Sequence, residues 1–113
     1  MAAKANIIVD QATTFNTQLV ITDDNDFPID LTGYDIYAKF KKWYTSSNSV
    51  SFVIDVPTPS QGIVNLNLSA NTTATLDYGR YVYDIIALKE SDGTITRIIE
   101  GILTVTPEVT TLD

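Results

Sequence analysis

A chain of 113 residues that is 44% hydrophobic can close one core but not two, since domains typically run to roughly 100–150 residues. It has no cysteine and no histidine, which removes disulfides, thiolate and imidazole metal sites, the commonest general base and every Ser-His-Asp arrangement. The formal net charge of −7 repels phosphate backbones and acidic lipid surfaces, which argues against nucleic acid and membranes as partners.

In chain order, residues 1–9 carry one lysine and a short apolar run, neither a signal-peptide core nor a span of about 20 apolar residues; residues 1–6 are read as an extended arm. Phe15, Thr17, Leu19 and Ile21 then alternate with Asn16, Gln18 and Thr22 as a strand with one dry face. Asp23-Asp24-Asn25-Asp26 and Pro28 end it, because Asx side chains bond local backbone and proline cannot donate to a ladder. Asp23, Asp24 and Asp26 are weak candidate calcium ligands. The run departs from the D-x-[DN]-x-[DN]-G pattern at Phe27 and Pro28, so a solvated turn is the favoured reading. In Asp30-Leu31-Thr32-Gly33 an Asx bond closes a turn while Leu31 plugs one end of the core.

Ile36, Ala38 and Phe40 next alternate with Tyr37, Lys39 and Lys41. With Lys42, Trp43 and Tyr44 the second set forms a basic and aromatic cluster. It is read as an outward strand face whose lysines discourage edge pairing or, with Tyr37, Lys39, Lys41, Trp43 and Tyr44 as its members, as a protein interface. Phe52, Ile54 and Val56 form a further run, Pro57, Pro59 and Gly62 a reversal, and Val64, Leu66 and Leu68 against Asn65 and Asn67 the cleanest alternation in the chain. Residues 69–76 offer one helical turn with Ser69 as N-cap. The two last runs, Tyr81–Lys89 and Thr94–Thr106, are longer and more continuously apolar, as strands in the middle of a sheet are, and Asp92-Gly93 joins them as a tight hairpin.

Short strands at about ten-residue spacing predict an all-β fold: a single antiparallel immunoglobulin-like β-sandwich of about seven strands over residues 1–113, with residues 107–113 as a second arm. Its most specific segment is Asp77-x-Gly79-x-Tyr81-x-Tyr83. A tyrosine at the start of strand F, two residues before the second cysteine position, bonds upstream backbone and pins the E–F corner. Tyr81 takes that role here, Tyr83 takes the cysteine position, Gly79 lets the chain turn, and the Asp77 carboxylate is expected to satisfy corner N–H groups.

Phrases along nearly the whole chain resemble small immunoglobulin-like virion proteins of tailed bacteriophages, cyanophages included, especially domains of baseplate and tail-fibre-attachment proteins. They are Phe15-Asn16-Thr17, residues 28–34 (PIDLTGY), residues 41–47 (KKWYTSS), residues 79–84 (GRYVYD) and residues 96–107 (TRIIEGILTVTP). The resemblance implies a non-enzymatic structural subunit located in the virion, present in several copies of a symmetric assembly and held by other virion proteins of tail, neck, baseplate or capsid. It supplies no catalytic residues and no cofactor. An accessory part of tail, neck or baseplate is the leading expectation, and a capsid decoration protein is the alternative. A carbohydrate- or receptor-binding module using Tyr37, Trp43 and Tyr44 as a stacking platform is the alternative of another class. Acidic residues set singly in turns or on wet faces give a paired-carboxylate enzyme nothing to work with.

Overall fold

Alternating burial along the strands builds two sheets with one apolar layer between them. The computed structural model describes residues 3–23, 25–43, 45 and 48–109. The larger sheet contains β1 (Ala3–Lys4), β2 (Ile7–Asp10), β4 (Tyr34–Lys41), β5 (Val50–Ser51), β8 (Gly79–Lys89) and β9 (Ile95–Thr106). Its order is β5-β4-β8-β9, with β1 and β2 both on the far side of β9. The smaller sheet is β3 (Phe15–Val20), β7 (Ile63–Leu68) and β6 (Val53–Asp55), with β7 in the middle. This is the immunoglobulin-type sandwich, and the two long apolar runs, β8 and β9, are interior strands as their composition predicts.

The core lies between the sheets. Ala38 and Phe40 of β4, Tyr81, Tyr83, Ile85 and Ala87 of β8, and Leu103 and Val105 of β9 face Val64, Leu66 and Leu68 of β7. Each fully buried aliphatic side chain contributes about 1.5–3 kcal/mol relative to exposure. Phe52 closes the open side: its ring lies 5.2 Å from Phe40, 6.2 Å from Phe15 and 6.5 Å from Tyr83. The chain changes sheets at this residue, since β5 pairs with β4 and β6 with β7, so the run read as one strand serves both.

The turns follow their residue chemistry. Ser69 Oγ accepts from Thr72 N at 3.2 Å and caps α1 (Ala70–Ala74), which is tied down by the buried Thr73 donating to the Thr13 carbonyl at 2.7 Å. In the β8–β9 hairpin Asp92 Oδ1 accepts from Thr94 N at 2.9 Å. Leu31 is buried, and Asp30 Oδ1 accepts from Thr32 N at 2.9 Å; hydrogen bonding by the Thr32 side chain and then by this N–H holds the Asp30 carboxyl below its ordinary range. At the corner, Tyr81 Oη donates to the Asp77 carbonyl at 2.8 Å, so this aspartate's part is played by its backbone. Gly79 takes φ +129°, a conformation that strains any other residue.

The N-terminal segment departs from an all-antiparallel arrangement. β1 and β2 both run parallel to β9, with Ala3 opposite Ile99 and Ile7 opposite Leu103. Residues 3 and 4, inside the stretch read as an arm, are therefore part of the sheet. Between β1 and β2, Ala5 N donates to the Glu100 carbonyl at 3.1 Å, and the Ala5 carbonyl accepts from Tyr83 Oη at 2.5 Å. Asn6 Oδ1 accepts from Ile102 N at 3.2 Å. Gly101 makes the approach possible, because a Cβ there would lie 1.9 Å from the Ala5 carbonyl oxygen. At the other end Glu108 N donates to Gln11 Oε1 at 3.1 Å, and residues 110–113 of the second expected arm lie outside the described residues.

Gly101→Ala is expected to cost about 1–3 kcal/mol in urea unfolding, the usual range for overpacking, and to speed amide exchange at Ile7 and Val9. Tyr81→Phe should cost about 0.5–1.5 kcal/mol, the worth of one hydrogen bond, and a smaller loss would remove that bond as the pin of the corner. Burial pushes the Tyr83 hydroxyl up to about 12 and also raises Tyr81, desolvation leading the nearby Asp77 charge there. A folded-state pKa above the unfolded value of about 10 means stability that is complete below that pH and declines as pH rises toward 12. Tyr83→Phe should flatten this alkaline loss, measured as the midpoint of thermal unfolding against pH.

Candidate functional site

The outward residues of β4, β8 and β9 form one continuous face, and strand register sets its rows. Tyr37 lies opposite Ile86, which lies opposite Arg97; Lys39 continues to Asp84 and Glu100; Lys41 continues to Val82 and Ile102. Beyond them, Arg80 is followed by Thr104 and Ile8. The strands therefore bring Tyr37, Lys39 and Lys41 together as the period-2 reading of β4 requires, and add residues from two other strands.

The pairing of β8 with β9 slips between Ile85 and Ile86, leaving Ile98 as an extra residue in β9. As a result Arg97 and Glu100, three positions apart, both face outward. Arg97 Nε lies 3.1 Å from Asp84 Oδ2, and its Nη1 lies 3.1 Å from Glu100 Oε2. These side chains are partly solvated, so the pairs add less than about 1 kcal/mol to stability and serve mainly to fix the layout of charge. Among the described residues, Lys39 and Lys41 have no carboxylate within ion-pair distance. The face thus carries free cations along β4 and paired charges along β8 and β9.

A shallow hollow of about 300 Å³ lies on this face, with Tyr37, Lys39 and Lys41 along one side, Val82 and Ile86 at its floor and Arg97 at the other side. Ile8, Ile95 and Tyr37 on the same face are each about half or more exposed. The face thus interleaves apolar and aromatic side chains with charged ones. At its far end the Glu90 carboxyl is raised by the hydrogen bond its protonated form donates to the Asp35 carboxylate and by that residue's negative charge.

The remaining sequence candidates separate. Lys42 turns away from Lys39 and Lys41, and its Nζ sits 4.7 Å from the centre of the Tyr81 ring, so it serves the corner. Trp43 is highly exposed just past the end of β4, and Tyr44 lies outside the described residues. Asp23 Oδ1 accepts from Asn25 N at 2.9 Å and Phe27 N at 3.1 Å, an Asx turn that occupies that carboxylate oxygen with local backbone. Asp26 stands at φ +64° in the same turn, and Asp24 lies outside the described residues. Among the described residues no group of three or more acidic side chains converges as a metal site. Arg97 and Glu100 were not singled out by alternation, because the extra residue at Ile98 changes the phase of β9 midway, and Asp84 joins the face only through the pairing of β8 with β4.

No family model matches the chain, and no curated protein matches it by sequence. Among solved structures, the N-terminal domain of ORF48 of phage TP901-1 superimposes with a TM-score of 0.56 at 15% identity, covering 89% of this chain and 84% of that one. The NK cell receptor NKp44 gives a TM-score of 0.46 at 13% identity, covering 94% of this chain and 99% of that one. A family 123 glycoside hydrolase from Clostridium perfringens gives 0.45 at 11% identity, covering 97% of this chain and 24% of that one. The last two likenesses are too weak to carry an argument. The first establishes that this chain shares its β-sandwich fold with a domain of a phage protein.

Proposed function

We propose that the chain is a non-enzymatic structural subunit of a phage virion, an accessory part of the tail, neck or baseplate, held by a neighbouring virion protein against the outer face of β4, β8 and β9. The observation that carries this reading is the fold shared with a phage protein domain over 89% of the chain. The sequence phrases that resemble tailed-phage virion proteins point the same way. A role in binding rather than catalysis is supported by the chain's lack of histidine and cysteine.

The face suits such a contact for a physical reason. Tyr37 and the neighbouring aliphatic side chains supply area that gains from leaving water, while Lys39 and Lys41 supply unpaired positive charge in a chain of net charge −7. An acidic patch on the neighbour is the complement that charge selects.

Quantitative mass spectrometry of purified particles tests the reading. The protein should be present at a copy number that fits a ring or a fibre attachment; a number that fits the head lattice would replace this reading with capsid decoration, and absence would remove both. The double substitution Lys39→Glu with Lys41→Glu is expected to reduce incorporation at least tenfold with little change in the melting temperature of the free protein. Undiminished incorporation would exclude this face as the contact.

A further inference from the structure

β3 is the one long open edge among the described strands. The other free edges are short or interrupted: β5 has two residues, β6 three with Asp55 among them, β1 and β2 are separated at Ala5 and Asn6, and the stretches of β4 and β9 that run past β5 and β1 carry the charged Asp35 and Arg97. β3 has six, Phe-Asn-Thr-Gln-Leu-Val, with no charge, no proline and no bulge, so it lacks each usual device against edge pairing. In a constant-type immunoglobulin sandwich the first strand belongs to the same sheet as the second. Here that strand is held on β9, and the place beside β3 is empty among the described residues.

The hydrogen-bonding phase of this edge follows from one contact. Ile21 N donates to the Gly62 carbonyl at 2.8 Å, and continuing the β3–β7 register puts these two residues opposite each other. Thr17 and Leu19 therefore direct their N–H and C=O groups at β7, while Asn16, Gln18 and Val20 direct theirs outward. The open stretch is bounded by the Asp10–Thr13 turn on one side and by the Thr22–Pro28 bridge on the other. Phe15 and Leu19, on the inner side of β3, are only half-buried and pack at this margin of the core.

We infer that β3 pairs antiparallel with β3 of a second copy of this chain, about a two-fold axis at Gln18. That register sets Gln18 against Gln18 and Asn16 against Val20 in both directions, so every outward backbone group of the three residues gains a partner. The two small sheets become one continuous sheet. Charge favours a second copy as the occupant. β3 and the adjacent β7 carry no ionisable side chain, which lets two chains of net charge −7 meet without like charges in contact. The antiparallel order also keeps the two acidic turns containing Asp23 and Asp26 at opposite ends of the joint.

Pairing of this kind does not depend on where the proposed virion subunit sits. Sedimentation equilibrium of the wild-type protein should show a concentration-dependent dimer. Gln18→Pro removes an outward N–H without touching the β3–β7 ladder, and Gln18→Lys sets two ammonium groups against each other at the axis; both are expected to be monomeric with unchanged far-ultraviolet circular dichroism. If Gln18→Pro does not fold, Gln18→Lys decides alone. In a chain with no native cysteine, Gln18→Cys should oxidise to a disulfide-linked dimer faster than Val53→Cys on the other edge. A wild-type protein that stays monomeric throughout, a dimer that persists in the folded Gln18 variants, or equal oxidation of the two cysteine variants would overturn the inference.

Discussion

The Tyr83 hydroxyl donates to the Ala5 carbonyl through the space left by Gly101, and the placement of the first strand depends on this contact. Where other immunoglobulin-type domains put a cysteine for a bridge between sheets, this chain has a tyrosine whose ring spans the same interior and whose hydroxyl reaches the N-terminal segment. The hydroxyl satisfies a carbonyl that would otherwise be stranded at the break between β1 and β2, and leaving such a group unpaired costs about 1–3 kcal/mol. With Ala5 fixed on both sides, β2 continues along β9 and seals the core with Ile7 and Val9. The same choice leaves β3 without a neighbour in its own sheet.

The distribution of charge follows this division. The small sheet shows solvent mostly amides, from Asn16, Gln18, Asn65 and Asn67, with Asp55 at its margin. The large sheet carries Lys39, Lys41, Arg80 and Arg97, most of the chain's seven cations, on its outer side. The inferred β3 pairing would use the first of these surfaces, and the proposed contact with a neighbour the second.

Much of the fold was legible in the sequence because it is written in local rules. Alternation at Val64, Leu66 and Leu68, the Ser69 cap, the Asp92-Gly93 turn and the spacing from Asp77 to Tyr81 each act over a few residues. What could not be read depends on long-range pairing. No period in residues 3–10 says that they join β9 in parallel, and nothing around Phe52 announces that one run will serve two sheets. The candidate face divides in the same way. Tyr37, Lys39 and Lys41 follow from the pleat of β4, but Asp84 joins them only through the β4–β8 register, and Arg97 and Glu100 only through the β8–β9 register, which slips at Ile98. Lys42 broke from its sequence neighbours because the face of the Tyr81 ring offered its ammonium group a partner.

The first strand belongs to β9, and β3 is consequently open. Residue-resolved amide hydrogen exchange in dilute protein tests it most directly, since it reports backbone pairing on each side of a strand separately. Slow exchange is expected at Ile7, Val9, Thr17 and Leu19, with fast exchange at Asn16, Gln18 and Val20. Strong protection of Asn16, Gln18 and Val20 in the monomer, with Ile7 and Val9 exchanging freely, would mean that the first strand lies beside β3 and would contradict it.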